Sequence, residues 1–159
     1  MNNKFYYLKS FLLLFILTLF ISCSDDENNE SEAEAYTRNQ QELEAYIEAN
    51  DLNVEKSNSG LYYIITTEGE GATPTTSSDV TVKYKGYFLD GTVFDQATTE
   101  VEFNLGQVIP GFREGISYMQ EGGSATLLMP ARLAYGSRGS GPIPPNTAIA
   151  FDIELIATE

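Results

Sequence analysis

The sequence predicts an α+β fold: antiparallel sheet for the most part, covering one short helix. Three observations carry this. From residue 61 onward, short runs of β-branched and aromatic residues recur between turn signals. One helical patch interrupts them, with Phe112, Ile116 and Met119 at i, i+4 and i+7. Ahead of the strands, residues 35–53 place Tyr36, Leu43 and Ile47 near helical spacing with Glu42, Glu44 and Glu48 between them.

The elements follow in order. The amphipathic helix of residues 35–53 ends at Asn50-Asp51 and is expected to lie against the domain of residues 54–159. Residues 56–60 form a polar hinge rich in turn formers. Residues 61–67, Leu-Tyr-Tyr-Ile-Ile-Thr-Thr, read as a strand that stops at Gly69 and Gly71. Val80, Val82 and Tyr84 then alternate with Thr81, Lys83 and Lys85, as a sheet with one wet face requires. Asp90-Gly91 reads as a hairpin turn, and Phe103 with Leu105 as a shorter strand. Pro110-Gly111 opens the short helix and Gly122-Gly123 closes it. Residues 124–129 form another strand. In the last, Ile149, Phe151, Ile153 and Leu155 alternate with Ala150, Asp152 and Glu154.

Composition narrows the chemistry. The chain has 159 residues, 42% of them hydrophobic, which suits one domain with a real core. It contains no His, which removes Ser-His-Asp and Cys-His nucleophile systems and every His-containing metal site. The formal net charge of −14 repels phosphate backbones, so nucleic acid is not an expected partner.

The N-terminus reads as an address. Lys4 and Lys9 precede the apolar run of residues 11–21, too short for a comfortable membrane span and suited to a secretory signal over residues 1–22. Cys23, the only cysteine, follows Ser22 at the end of that run and resembles the lipidated residue of a bacterial lipoprotein. Acyl chains there would anchor the protein to a membrane, each buried methylene contributing about 0.8 kcal/mol. Residues 23–34 then read as an acidic linker, beginning with a Ser24-Asp25-Asp26-Glu27 run similar to the acidic tag of Bacteroidetes surface lipoproteins. The expected location is extracytoplasmic, on a bacterial outer membrane, facing either the periplasm or the surface.

Three motifs stand in register within the domain. Residues 82–95 read Val-Lys-Tyr-Lys-Gly-Tyr-Phe-Leu-Asp-Gly-Thr-Val-Phe-Asp, and residues 106–115 read Gly-Gln-Val-Ile-Pro-Gly-Phe-Arg-Glu-Gly. Ala134-Tyr135-Gly136, Ile143-Pro144-Pro145-Asn146 and residues 151–155 form the third block. In order and spacing this resembles the FKBP-type peptidyl-prolyl isomerases over residues 61–157, including the lipoprotein forms associated with gliding motility in Bacteroidetes.

The resemblance implies a half-barrel sheet around the short helix, with an apolar cleft between them. It places Tyr84, Phe94, Asp95, Ile109 and Tyr135 as catalytic residues and Val108, Phe112, Ile143 and Phe151 as substrate-binding ones. Phe112 would form the floor, where many members carry Trp. The Ile109 N–H and Tyr135 hydroxyl would donate to substrate carbonyls, and Asp95, partly desolvated, would orient the site. Rotation about an X–Pro bond breaks no covalent bond, so neither cofactor nor metal is expected; an apolar, dry pocket suffices. The implied partners are proline-containing polypeptides. Two alternatives stand beside this: a module whose same cleft holds a proline segment without turnover, and a chaperone at the membrane, against which the short stretch of residues 135–143 argues, since chaperone-active relatives often carry a large insertion there.

Overall fold

A serine sets the start of the first helix. In the computed structural model, which describes residues 30–159, the Ser31 hydroxyl accepts from the Glu34 N–H at 3.3 Å, and the Glu34 carboxylate accepts in return from the Ser31 N–H at 3.0 Å. This reciprocal cap satisfies donors that a helix end otherwise leaves unpaired. Helix α1 accordingly spans Glu32–Ala49, so the expected linker gives way to helix over its last residues. The helix also ends earlier than residue 53, at an Asn50 cap followed by Asp51 in a left-handed conformation (φ 51°). The signal segment of residues 1–22, Cys23 and the linker up to residue 29 lie outside the described residues.

Six strands form one antiparallel sheet. They are β1 (Glu55–Lys56), β2 (Tyr62–Thr67), β3 (Asp79–Phe88), β4 (Val93–Asn104), β5 (Ser124–Met129) and β6 (Ile149–Thr158), in the order β1-β2-β5-β6-β3-β4. Helix α2, Pro110–Ile116, packs on one face. The strands predicted at residues 61–67, 80–85, 124–129 and 149–155 are all present within a residue or a few of their ends.

Three expectations need correction. The polar hinge begins inside strand β1, whose second residue is Lys56 and whose two residues pair with Tyr62 and Tyr63. The short strand at Phe103 is the end of the twelve-residue β4, while Leu105 turns away into a single 3-10 turn. Alternation fails along β4 because Val82 pairs with Val101 but Tyr84 with Ala97, so residues 98–100 bulge out opposite Lys83 alone. Helix α2 stops at Ile116, yet Met119 is still buried, held by tight turns in which its N–H bonds the Ile116 carbonyl at 3.0 Å.

The two sheet faces are covered differently. Alternate residues Leu127, Phe151 and Ile153 face α2 in the main core with Val82, Leu105 and Ile116. Their neighbours Tyr62, Leu128, Ala150 and Tyr87 form a row across β2, β5, β6 and β3. That row is capped by the fully buried Leu43 of α1, with Tyr46 and Ile47 beside it. Burying a leucine in this way contributes about 1.5–3 kcal/mol, so α1 is part of the folded unit. Its inward stripe is Ala35, Asn39 and Leu43, with a polar residue in the middle that apolar spacing did not reveal.

Candidate functional site

A cleft of about 280 Å³ opens between the β3–β4 end of the sheet and α2. Its floor is the buried ring of Phe112, met edge-on by Phe151 at 5.3 Å, Phe103 at 6.0 Å and Tyr84 at 6.2 Å. Edge-to-face contacts of this kind fix ring orientation as well as burying area. Val108 and Ile109 form one wall, in the extended stretch where Pro110 begins α2. The Ile109 N–H makes no hydrogen bond to a loop or side-chain acceptor among the described residues.

Tyr84 and Asp95 form the opposite wall. The Tyr84 hydroxyl donates to Asp95 Oδ2 at 2.7 Å. Burial, then the hydrogen bond and charge of Asp95, push the Tyr84 phenol up to about 12. Asp95 is more exposed than expected, because β4 is the edge strand and water reaches its outer side. Tyr135 completes the cleft; burial first and Asp95 second raise its phenol as well. Among the described residues its hydroxyl has no hydrogen-bond partner, and only burial and the Asp95 charge act on it.

The bulge geometry explains how two consecutive residues serve one site. Gly86 pairs with Asp95 and Tyr87 with Val93, so Phe94 is an extra residue on β4 and escapes the strict alternation of faces. Phe94 packs on Phe151 at 5.6 Å and on Phe88 at 5.2 Å. The close approach requires glycine opposite: a Cβ on Gly86 would lie 2.6 Å from the Phe94 ring and 2.7 Å from Phe151.

Seven of the nine expected residues thus line the cleft: Tyr84, Asp95, Val108, Ile109, Phe112, Tyr135 and Phe151. The other two stand behind it. Phe94 is half-buried and buttresses Phe151, while Ile143 is drawn into the core by its paired bonds with Ser140, both 2.9 Å. The sequence reading missed Phe103 and Gln107 as lining residues. Phe103 had been legible only as a core-facing strand position, and Gln107 precedes Val108 with nothing in its residue type to mark it.

A larger groove of about 810 Å³ lies between α1 and residues 142–148. Its most polar wall, Arg38 and Glu42, is already paired at 2.6 Å, and none of the residues expected at the site reaches it. The expected residues gather in the smaller, aromatic cleft.

Comparison with known proteins agrees with this geometry. The sequence model described as FKBP-type peptidyl-prolyl cis-trans isomerase matches residues 70–156. A probable FKBP-type isomerase FkpA of Neisseria meningitidis serogroup B is 42% identical over 136 residues, 82% of this chain and 49% of that one. Outer membrane protein MIP of Legionella longbeachae is 45% identical over 105 residues, 64% of this chain and 45% of its own. The crystal structure of FkpA from Escherichia coli superposes with a TM-score of 0.71 at 34% identity, covering 80% of this chain and 62% of that one. The chain spans about half the length of the curated relatives it matches. With the family model covering more than half of the sequence and the sheet, helix and cleft in agreement, the chain belongs to the FKBP-type peptidyl-prolyl cis-trans isomerase family.

Proposed function

We propose that the cleft accelerates cis/trans rotation about X–Pro bonds of polypeptides outside the cytoplasm, with Cys23 lipidated as a membrane anchor. The observation that carries the activity is the pairing of an apolar, ring-lined floor with two unpartnered donors, the Ile109 N–H and the Tyr135 hydroxyl. Rotation must overcome a barrier of roughly 18–20 kcal/mol that arises from lost amide resonance. Water stabilises the planar, polar amide; a pocket floored by Phe112 takes the prolyl ring and removes that water. The two donors then favour the twisted state by holding the flanking carbonyls, and binding that is tighter in the transition state lowers the barrier. Asp95 fixes Tyr84 in the wall and exchanges no proton in this scheme.

An extracytoplasmic setting is supported by the N-terminal signal pattern and by the name of the related outer membrane protein MIP. Uncatalysed proline isomerisation takes tens of seconds and limits folding, so exported proteins are fitting clients.

NMR exchange spectroscopy on short X–Pro peptides with the purified chain tests the activity. Acceleration at catalytic concentrations of protein is expected. Peptide binding with no acceleration would reject catalysis and leave a proline-segment binding module in its place.

A further inference from the structure

The only buried polar residue among those described is Asn39, in the middle of the inward stripe of α1. Each of its bonding groups is used. Oδ1 accepts from the Ala131 N–H at 2.9 Å, and Nδ2 donates to the Asn146 carbonyl at 3.0 Å and to Glu42 Oε2 at 3.0 Å. Ala131 and Asn146 bracket the loop that carries Tyr135. One side chain therefore ties both ends of that loop to α1.

Neighbouring contacts serve the same end. Arg38 Nη2 also donates to the Asn146 carbonyl at 3.0 Å, and the Asn146 N–H bonds Gly136, the residue after Tyr135, at 2.9 Å. Asn146 itself holds a left-handed conformation (φ 56°). The Arg132 guanidinium, next in the loop, lies 3.5 Å from the centre of the Tyr36 ring on α1. Attachment of the helix is a separate matter, served by Leu43 on the outer face of the sheet.

We infer that α1 clamps the cleft loop and that Asn39 is a positioning residue for Tyr135. The inference rests on the proposed isomerase reading for its kinetic consequence, but the clamp itself is a property of the loop. Tyr135 has no hydrogen-bond partner of its own, so its hydroxyl is placed by the backbone that bears it, and that backbone is fixed at Asn39. Loss of the clamp is expected to lower kcat while leaving the Phe112 floor, and hence KM, nearly unchanged.

The test compares Asn39→Leu and Asn39→Ala with Leu43→Ala in the full chain, reading kcat and KM on X–Pro peptides together with amide hydrogen exchange over residues 134–143. The Asn39 variants are expected to lose about threefold to tenfold in kcat and to exchange faster in the loop. Leu43→Ala is expected to lower the melting temperature while leaving both readouts at the wild-type level. An equal loss of kcat in Leu43→Ala, or wild-type kcat and exchange in the Asn39 variants, overturns the inference. Should the Asn39 variants fail to fold, Arg38→Ala, which removes the second bond to the Asn146 carbonyl together with the ion pairs to Glu30 and Glu42 on the helix side, carries the test with the same signs. A wild-type chain that accelerates no peptide defeats the proposed function instead, and loop exchange then decides the clamp alone.

Discussion

The Tyr84 hydroxyl reaches Asp95 Oδ2 at 2.7 Å from the strand next door, although the regular partner of Asp95 in the ladder is Gly86. The contact is diagonal, and it spans the region where β4 takes in Phe94 as an extra residue. It also keeps the phenol neutral, since ionising it would set two negative charges in contact. The Tyr84 phenol sits at about 12, against roughly 10 for an unperturbed tyrosine. A raised folded-state value means that the folded form holds its proton more tightly than the unfolded one. The resulting stabilisation is complete below about pH 10 and disappears as pH climbs through 12. Chemical denaturation between pH 9 and 12 should show stability falling across that window, and Tyr84→Phe should flatten the fall. Tyr63, whose phenol the Glu55 carboxylate holds at about 12, contributes in the same sense, so the flattening is partial.

Tyr135→Phe removes one donor and nothing else. A single neutral hydrogen bond is worth about 1 kcal/mol, so kcat/KM should fall about fivefold. Asp95→Leu should fall further, because it frees Tyr84 as well as changing the wall. Equal and negligible effects in the exchange assay would show that the site lies elsewhere.

Gly86→Ala places a methyl group against two rings at once. Neither Phe94 nor Phe151 has room to retreat, since each is packed on further aromatic rings. The expected cost is about 1–3 kcal/mol in denaturant unfolding. Activity should fall by more than the loss of folded protein explains, because Phe151 is part of the cleft wall.

Cys23→Ala should move the protein from the membrane to the soluble fraction when cells expressing it are fractionated. Continued sedimentation of the variant with membranes would refute the lipid anchor.

Much of the fold was legible because its signals are local. Alternation in residues 80–85 and 149–155, and the i, i+4 spacing around Phe112, survive into the structure because one face of each element meets the core. β4 was not legible, since its bulges exist only in register with β3 and leave no periodic trace in the strand itself. The start of α1 at Ser31 carries a capping pair that charge had masked: Glu34 reads as linker acid until its carboxylate is seen on the Ser31 N–H. The site divides in the same way. Motif resemblance located the cleft, yet it placed Phe94 and Ile143 on the wall where packing sets them behind it. Asn39 had no signal at all. A lone asparagine in a polar helix reads as solvated, and its partners Ala131 and Asn146 lie 92 and 107 residues away in sequence.

The position of β4 at the sheet edge has a consequence for self-protection. An edge strand of twelve residues is long enough to template another chain. Here the edge is broken by an outward loop at residues 98–100 and by the extra Phe94, and it presents Asp95, Glu100 and Glu102 to solvent. Irregular spacing denies an incoming strand a continuous ladder, and the carboxylates resist close stacking of two copies. An approaching chain is thereby denied sheet extension along β4, and two copies are kept from pairing edge to edge.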